Sequence, residues 1–278
     1  MAARLEFHKM HGAGNDFVLI DARGPGQPFE PPMAAHIADR HRGVGCDQVL
    51  VLRPARLAGC LLRYEIWNAD GSPAGQCGNG ARCVGLYLER QGEVADAPFS
   101  LESPSGGVTL RRCPDGEYEV GMGVPDFRPE RVPLTLAGRD GSYLLDSPWG
   151  PLQLGAVSMG NPHALLRVDD IDDGRIAEMG AFIGGHPAFP EGCNAGFAQV
   201  LEPGRIRLRV VERGAGETLA CGSGACAAVA VLRQAGAVAE RVEVLLPGGR
   251  LVIKWPGADR PVTMKGPAAH VFRGTMNE

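Results

Sequence analysis

What this sequence lacks narrows it first. No apolar run approaches the ~18–20 residues that a membrane-spanning helix needs, and Met1 is not followed by a basic-then-apolar leader. The expectation is a cytoplasmic protein with no membrane partner. Charge of either sign is nearly balanced, 28 Lys and Arg against 32 Asp and Glu. The net of −4 gives no electrostatic reason to expect nucleic acid as a partner. The eight cysteines include no Cys-x-x-Cys. The spacings Cys77/Cys83 and Cys221/Cys226 are unlike the usual zinc pairs, so no metal is expected. Nor do eight cysteines in 278 residues suggest a disulfide framework. Low-complexity tracts and short repeat arrays are missing as well.

What is there is a duplication. The segment CGNGARCVGLYLERQG begins at Cys77, and CGSGACAAVAVLRQAG begins at Cys221. In register, Cys77 matches Cys221, Gly78 matches Gly222, Gly80 matches Gly224, Leu88 matches Leu232 and Gly92 matches Gly236. Each copy puts a thiol at the mouth of a glycine turn that opens an apolar helix, and each helix closes on a glycine. Such a turn offers backbone N–H groups and the positive end of the helix dipole, which favours a thiolate or an adjacent anion. Two similar domains follow from the spacing of the copies. Cys46, Cys60, Cys113 and Cys193 read as small buried or loop thiols.

Along the chain, LEFHKMHGAGNDFVLID reads as strand, long polar turn from His11 to Asp16, strand. Pro31 and Pro32 open a short helix over Met33 to His41. Gln48 and Asn68 fall at strand ends. Pro125 to Pro133 resembles a linker that closes the first half. In the second, RVPLTL, SYLLD and LQLGAVSM are strand-like, GNPH at Gly160 to His163 is a polar turn, and Ile176 to Ile183 is a short helix. In RIRLRVVERG, Ile206, Leu208 and Val210 alternate with Arg205, Arg207 and Arg209, the pattern of a half-buried strand. Forty Gly and 22 Pro favour many short strands over long helices.

A thiol pair suits a disulfide switch, a single nucleophile with a nearby base, or proton removal and return on opposite faces of one carbon. Only the third gives the duplication a reason, and it inverts a stereocentre without a cofactor. A carbon acid next to a carboxylate is far weaker than a thiol of pKa about 8.5. The protein must therefore stabilise the developing negative charge, and two helix N-termini with donors at Gly78, Asn79, Gly222 and Ser223 suit that task.

HGAGNDF at His11, NADGS at Asn68, CGNGARC at Cys77, GNPH at Gly160 and ERGAGETLACGSGACA at Glu212 together resemble the diaminopimelate epimerase family along nearly the whole chain. The resemblance implies a pyridoxal-independent isomerase that interconverts LL- and meso-2,6-diaminopimelate, with no cofactor. It implies an α+β fold of two similar domains, each a curved antiparallel sheet wrapped around a central helix, with the last strand returning to the first, so that the first domain is 1–125 plus 266–278 and the second 126–265. It also implies a homodimer. By family analogy Cys77 and Cys221 are the acid/base pair, His163 and Glu212 tune the thiols, and the substrate meets Asn15, Gln48, Asn68, Gly78, Asn79, Asn161, Asn194, Glu212, Arg213, Gly222 and Ser223. The sequence departs from the family pattern in two places: Gln76 stands where Met is usual, and Gly192-Cys193 where a basic residue and Thr are usual.

Overall fold

The computed structural model describes residues 4–24, 29–139 and 141–277. Residues 1–3 and 278, at the ends of the expected first domain, lie outside the described residues. The chain divides into two compact units: one runs up to Gly121 and resumes at Gly266, and the other is Met122–Lys265.

The first unit opens on a hairpin of β1 (Arg4–Gly12) and β2 (Asn15–Asp21). The ladder runs to the His11–Asp16 and Gly12–Asn15 pairs. Ala13 and Gly14, at φ 54° and 86°, make the two-residue turn whose twist matches that of paired strands. The expected long turn from His11 to Asp16 is thereby corrected. After α1 (Met33–Ala38) come β3 (Gln48–Arg53), β4 (Cys60–Asn68), α2 (Gly78–Arg90), β5 (Phe99–Ser103), β6 (Gly106–Arg112) and β7 (Tyr118–Gly121). α1 stops before the expected His41 because Asp39 turns extended (φ −60°, ψ 120°). The Asp39 carboxylate then accepts from the N–H groups of His41 and Arg42, the local turn that short acidic side chains favour.

β2 and β3 pair in parallel across α1, and β4 and β5 pair in parallel across α2; the other neighbours are antiparallel. Parallel neighbours need a crossover, and a helix fills it here. β2 and β3 are buried on both faces. Val18, Ile20, Val49 and Val51 join Ala34 and Ile37 of α1 in one core. Phe17 and Leu50 face the start of α2, where a Cβ on Gly80 would lie 3.1 Å from Leu50 Cδ2.

The second unit repeats this plan. It contains β8 (Gly138–Arg139), β9 (Ser142–Leu145), β10 (Leu152–Ser158), β11 (Pro162–Arg167), α3 (Ile176–Gly184), β12 (Asn194–Glu202), β13 (Arg205–Glu212), β14 (Gly216–Thr218), α4 (Gly222–Gln234), β15 (Arg241–Leu246), β16 (Gly249–Lys254) and all but the last residue of β17 (Thr263–Gly266). β11 and β12 are parallel across α3, as β13 and β15 are across α4. The order of parallel and antiparallel joints from β11 to β16 therefore copies that from β2 to β6. α4 lies close against its sheet: a Cβ on Gly155 of β10 would meet Val231 Cγ1 at 2.3 Å. The RVPLTL stretch is not a strand. Pro129–Arg131 forms a 3-10 turn, and Pro133 has no N–H to give to a ladder. Val132 and Leu134 enter the core from this irregular segment instead.

β18 (Ala269–Asn277) completes the first unit by pairing antiparallel with β1 from Arg4–Asn277 to His11–Ala269. α2 packs on β1, β2, β6, β7 and β18, so strands from both ends of that unit's sheet wrap it. The α+β class with a helix inside a curved sheet stands. Each unit's sheet is mixed rather than purely antiparallel, because α1 and α2 in the first unit and α3 and α4 in the second occupy crossovers between parallel strands.

Candidate active site

Both cysteines cap helices, and they do so alike. Cys77 is extended (φ −147°, ψ 102°) and its sulfur accepts from Gly80 N–H at 3.3 Å. Cys221 is extended (φ −111°, ψ 110°) and its sulfur accepts from Gly224 N–H at 3.4 Å. Their carbonyls begin the helical ladder with Ala81 and Ala225, each at 2.9 Å. Glycine is required at the third helical position for space. A Cβ on Gly224 would stand 3.2 Å from the Cys221 sulfur and 3.0 Å from Val210. The far ends also match: Gly92 and Gly236, at φ 74° and 72°, donate to Glu89 and Arg233, while Glu93 and Ala237 donate to Leu88 and Leu232. These are paired Schellman caps.

Around Cys77, the half-buried sulfur lies 3.8 Å from Asn15 Oδ1. Asn79 Nδ2 donates to that same oxygen at 3.2 Å, and Asn15 Nδ2 donates to Asp47 Oδ2 at 2.9 Å. Asn15, Gly78 and Asn79 are thus gathered at the thiol. Gln48 and Asn68 face each other across β3 and β4, where Gln48 Nε2 donates to Asn68 Oδ1 at 2.9 Å. Gln48 also sits beside Phe17 in register, close to the start of β2.

Around Cys221 the surroundings are more charged. Its S–H donates to Glu212 Oε2 at 3.0 Å, and Ser223 Oγ lies 3.6 Å from the sulfur. The other carboxylate oxygen, Oε1, accepts from the Thr218 hydroxyl at 2.5 Å. Burial, and then the Glu212 charge, push the Cys221 thiol well above its ordinary value. The helix terminus was expected to favour the thiolate; at Cys221 desolvation and a carboxylate outweigh it. The sulfur rests as S–H.

Asn194 bridges two strands: Nδ2 donates to Pro162 O at 3.1 Å and Oδ1 accepts from Arg213 N–H at 3.0 Å. His163 lies beside Asn194 in register and is buried. Its Nε2 is 3.0 Å from Asn161 Oδ1, so that nitrogen carries the proton and donates. Burial, and secondarily the Arg213 charge, lower His163 to about 3. It is a neutral imidazole at neutral pH. Of the two expected tuning groups, Glu212 therefore touches a thiol and His163 touches Asn161. Arg213 Nη1 donates to Glu191 O at 2.6 Å. Gly192 takes φ 66°, and a Cβ there would lie 3.1 Å from Arg213 Cδ. The departure at Gly192-Cys193 thus fits a tight turn under Arg213, with Cys193 fully buried behind it.

Three residues at these sites were not singled out in the sequence: Asp47, Arg82 and Thr218. Arg82 and Thr218 lie inside the quoted motifs, and a cation within the buried first turns of α2 was a usable signal. No group of three or more metal-ligating side chains occurs among the described residues.

Comparison with known proteins places these features in context. Residues 7–128 and 155–271 match the family model described as Diaminopimelate epimerase. The diaminopimelate epimerase of Xylella fastidiosa (strain 9a5c) is 53% identical over 271 residues, covering 97% of this chain and 95% of that protein. That of Xanthomonas axonopodis pv. citri (strain 306) is 50% identical over 277 residues, covering 99% and 98%. Among solved structures, a hydroxyproline epimerase from Agrobacterium vitis with bound trans-4-OH-L-proline superposes with a TM-score of 0.76 at 18% identity, covering 100% of this chain and 94% of that one. A PhzF-family phenazine biosynthesis protein from Bacillus anthracis gives 0.66 at 16% identity, covering 98% and 99%. These two likenesses are of fold.

Proposed function

The chain belongs to the diaminopimelate epimerase family, and on that premise we propose how its residues carry out the reaction. The protein is an isomerase that interconverts LL- and meso-2,6-diaminopimelate at one α-carbon, in the supply of lysine and of peptidoglycan precursors. The observation that carries the mechanism is the Cys221 S–H donating to Glu212 at 3.0 Å, at a helix start that Cys77 duplicates in the other unit.

In one direction Cys221 takes the α-proton and Cys77 gives one to the opposite face; the reverse reaction exchanges the roles. To act as base, Cys221 first passes its own proton to Glu212 along the existing hydrogen bond. The Thr218 hydroxyl occupies Oε1 and leaves Oε2 for the sulfur. As charge builds on the substrate carboxylate, the N–H groups of Gly78, Asn79, Gly222 and Ser223 hold it. Losing one such preorganised donor costs about 2.7–4 kcal/mol. Asn15, Gln48, Asn68, Asn161 and Asn194 are neutral amides suited to the ammonium and carboxylate of the unreacting end, with Arg213 as its cationic partner. His163 holds Asn161 in place. This course draws on no cofactor.

The test is turnover by purified protein, with hydroxylamine added to trap any carbonyl cofactor. LL-diaminopimelate is expected to approach an equilibrium with the meso form on chiral chromatography. Absence of meso product, with inversion of trans-4-hydroxy-L-proline instead, would reassign the substrate.

The partner is a second copy of the chain. Within its unit β18 pairs with β1 on one side, and it exposes Val271 and Phe272. Exposed apolar side chains on this nine-residue strand suit contact with a second copy. Sedimentation is expected to give twice the chain mass of 29.3 kDa; a 29.3 kDa particle at micromolar concentration would remove the dimer. The cytoplasm is the proposed location: no helix among the described residues can cross a membrane, and free thiols, which all eight cysteines are, persist in a reducing compartment.

A further inference from the structure

Among the described residues Arg82 is the largest fully buried side chain, at 0% exposure, and no step above uses it. It lies on α2, one turn beyond the Cys77 cap. Its Nη2 donates to Asn79 Oδ1 at 2.9 Å and its Nε to Pro267 O at 3.1 Å. A guanidinium can only donate, so Asn79 must turn its oxygen toward Arg82 and its NH2 away. That NH2 donates to Asn15 Oδ1.

The far end of the chain is fixed by the opposite logic. The Asp47 carboxylate can only accept, so Asn15 must give it the NH2 group. Asp47 Oδ2 also accepts from Asp16 N–H at 3.0 Å, and its Oδ1 from Arg40 Nη2 at 2.7 Å. A permanent cation at one end and a carboxylate at the other thus leave each amide a single orientation. The result is an acceptor oxygen on Asn15 turned toward the Cys77 sulfur, with the Asn79 NH2 beside it. Gly12 keeps the space clear: a Cβ there would meet Arg82 Nη2 at 3.1 Å and Asn79 O at 3.3 Å.

We propose that Arg82 is a positioning residue for the epimerase reaction, setting through Asn79 the polarity with which Asn79 and Asn15 meet the substrate beside Cys77. This rests on the substrate contacts proposed above. Arg82 reaches no reacting atom itself. Because the two amides would bind substrate and transition state alike, their loosening shows mainly in KM. Lysine keeps the charge but places it on one ammonium without the planar fork, so it cannot serve both Pro267 O and Asn79 Oδ1 as the guanidinium does. It is the milder test, and Arg82→Met the harsher one.

The chain has six asparagines, so selective 15N-Asn labelling resolves each side-chain NH2 in the full-length protein without substrate. In R82K the Asn79 and Asn15 signals are expected to shift and to exchange at least about tenfold faster with solvent. Those of Asn161 and Asn194, in the other unit, are expected to stay. With LL-diaminopimelate, KM should rise about tenfold while kcat stays within about threefold, and R82M should exceed both effects. R82M and R82K that leave the Asn79 and Asn15 signals and KM at wild-type values would overturn the inference, as would equal shifts at Asn161 and Asn194. If R82M does not fold, R82K alone decides. Failure of wild-type turnover would instead remove the assigned reaction, and the amide signals would still decide the role of Arg82.

Discussion

Replacing either Cys77 or Cys221 by serine is expected to lower epimerisation at least about 10³-fold, within the range that general acid–base groups contribute. Serine is the informative choice because it keeps the helix cap: a hydroxyl accepts from the third helical N–H as well as sulfur does. The N–H groups of Gly80 and Gly224 stay satisfied, and the melting temperature should hardly move. What is lost is a proton carrier of accessible pKa, since an alcohol does not form the base at neutral pH and, as a far weaker acid than a thiol, is a poorer proton donor to the opposite face. Each single variant should lose both directions of the reaction, because one face of the carbon is left unserved. A C77S or C221S protein that epimerises at even a tenth of the wild-type rate would break the two-base mechanism.

Changing Glu212 to glutamine should produce two effects of opposite sense. Burial and then the Glu212 carboxylate raise the Cys221 thiol, so a neutral amide removes the second cause and lowers the thiol while burial still holds it up. Site-resolved alkylation of Cys221 should therefore set in at lower pH in E212Q than in the wild type. Turnover should nevertheless fall about 10²-fold or more, the loss typical of a missing proton-transfer partner. The amide can no longer take the Cys221 proton, and its NH2 competes with Thr218 for orientation. If Glu212 only held the loop, activity and thiol reactivity would fall together or not at all.

The duplication was legible because it rests on local rules. Glycine at the third helical position and at the left-handed exit, with a polar atom at the cap, is what a helix start and stop need, and both copies obey. The alternation in β13 was legible for the same reason: Ile206, Leu208 and Val210 are buried, and Arg205, Arg207 and Arg209 pair with Glu243, Asp172 and Glu217. The first hairpin reads as a longer loop in the sequence because Ala13 adopts a positive φ that residue preference gives to Gly or Asn. RVPLTL has the composition of a strand, and Pro133 breaks it.

The candidate site was legible as a set of residues and not as a set of contacts. Thr218 reaches Glu212 because β13 and β14 fold back as a hairpin with Glu212 opposite Gly216. Arg82 is anchored by Pro267, which arrives from the other end of the chain. The resting proton on Cys221 could not be read from the motif, since the helix terminus and the carboxylate pull the thiol in opposite directions. Only the 3.0 Å contact and the burial of the sulfur decide between them.

The claim beneath all of this is that one sulfur removes the α-hydrogen and a different one supplies its replacement. Brief incubation of LL-diaminopimelate with the enzyme in deuterium oxide, under reducing conditions, tests it directly. With two carriers, the first meso product should hold deuterium at the inverted carbon while recovered LL-diaminopimelate still holds protium. Early meso product that keeps its original hydrogen, or deuterium entering recovered substrate as fast as product, would mean that a single group serves both faces.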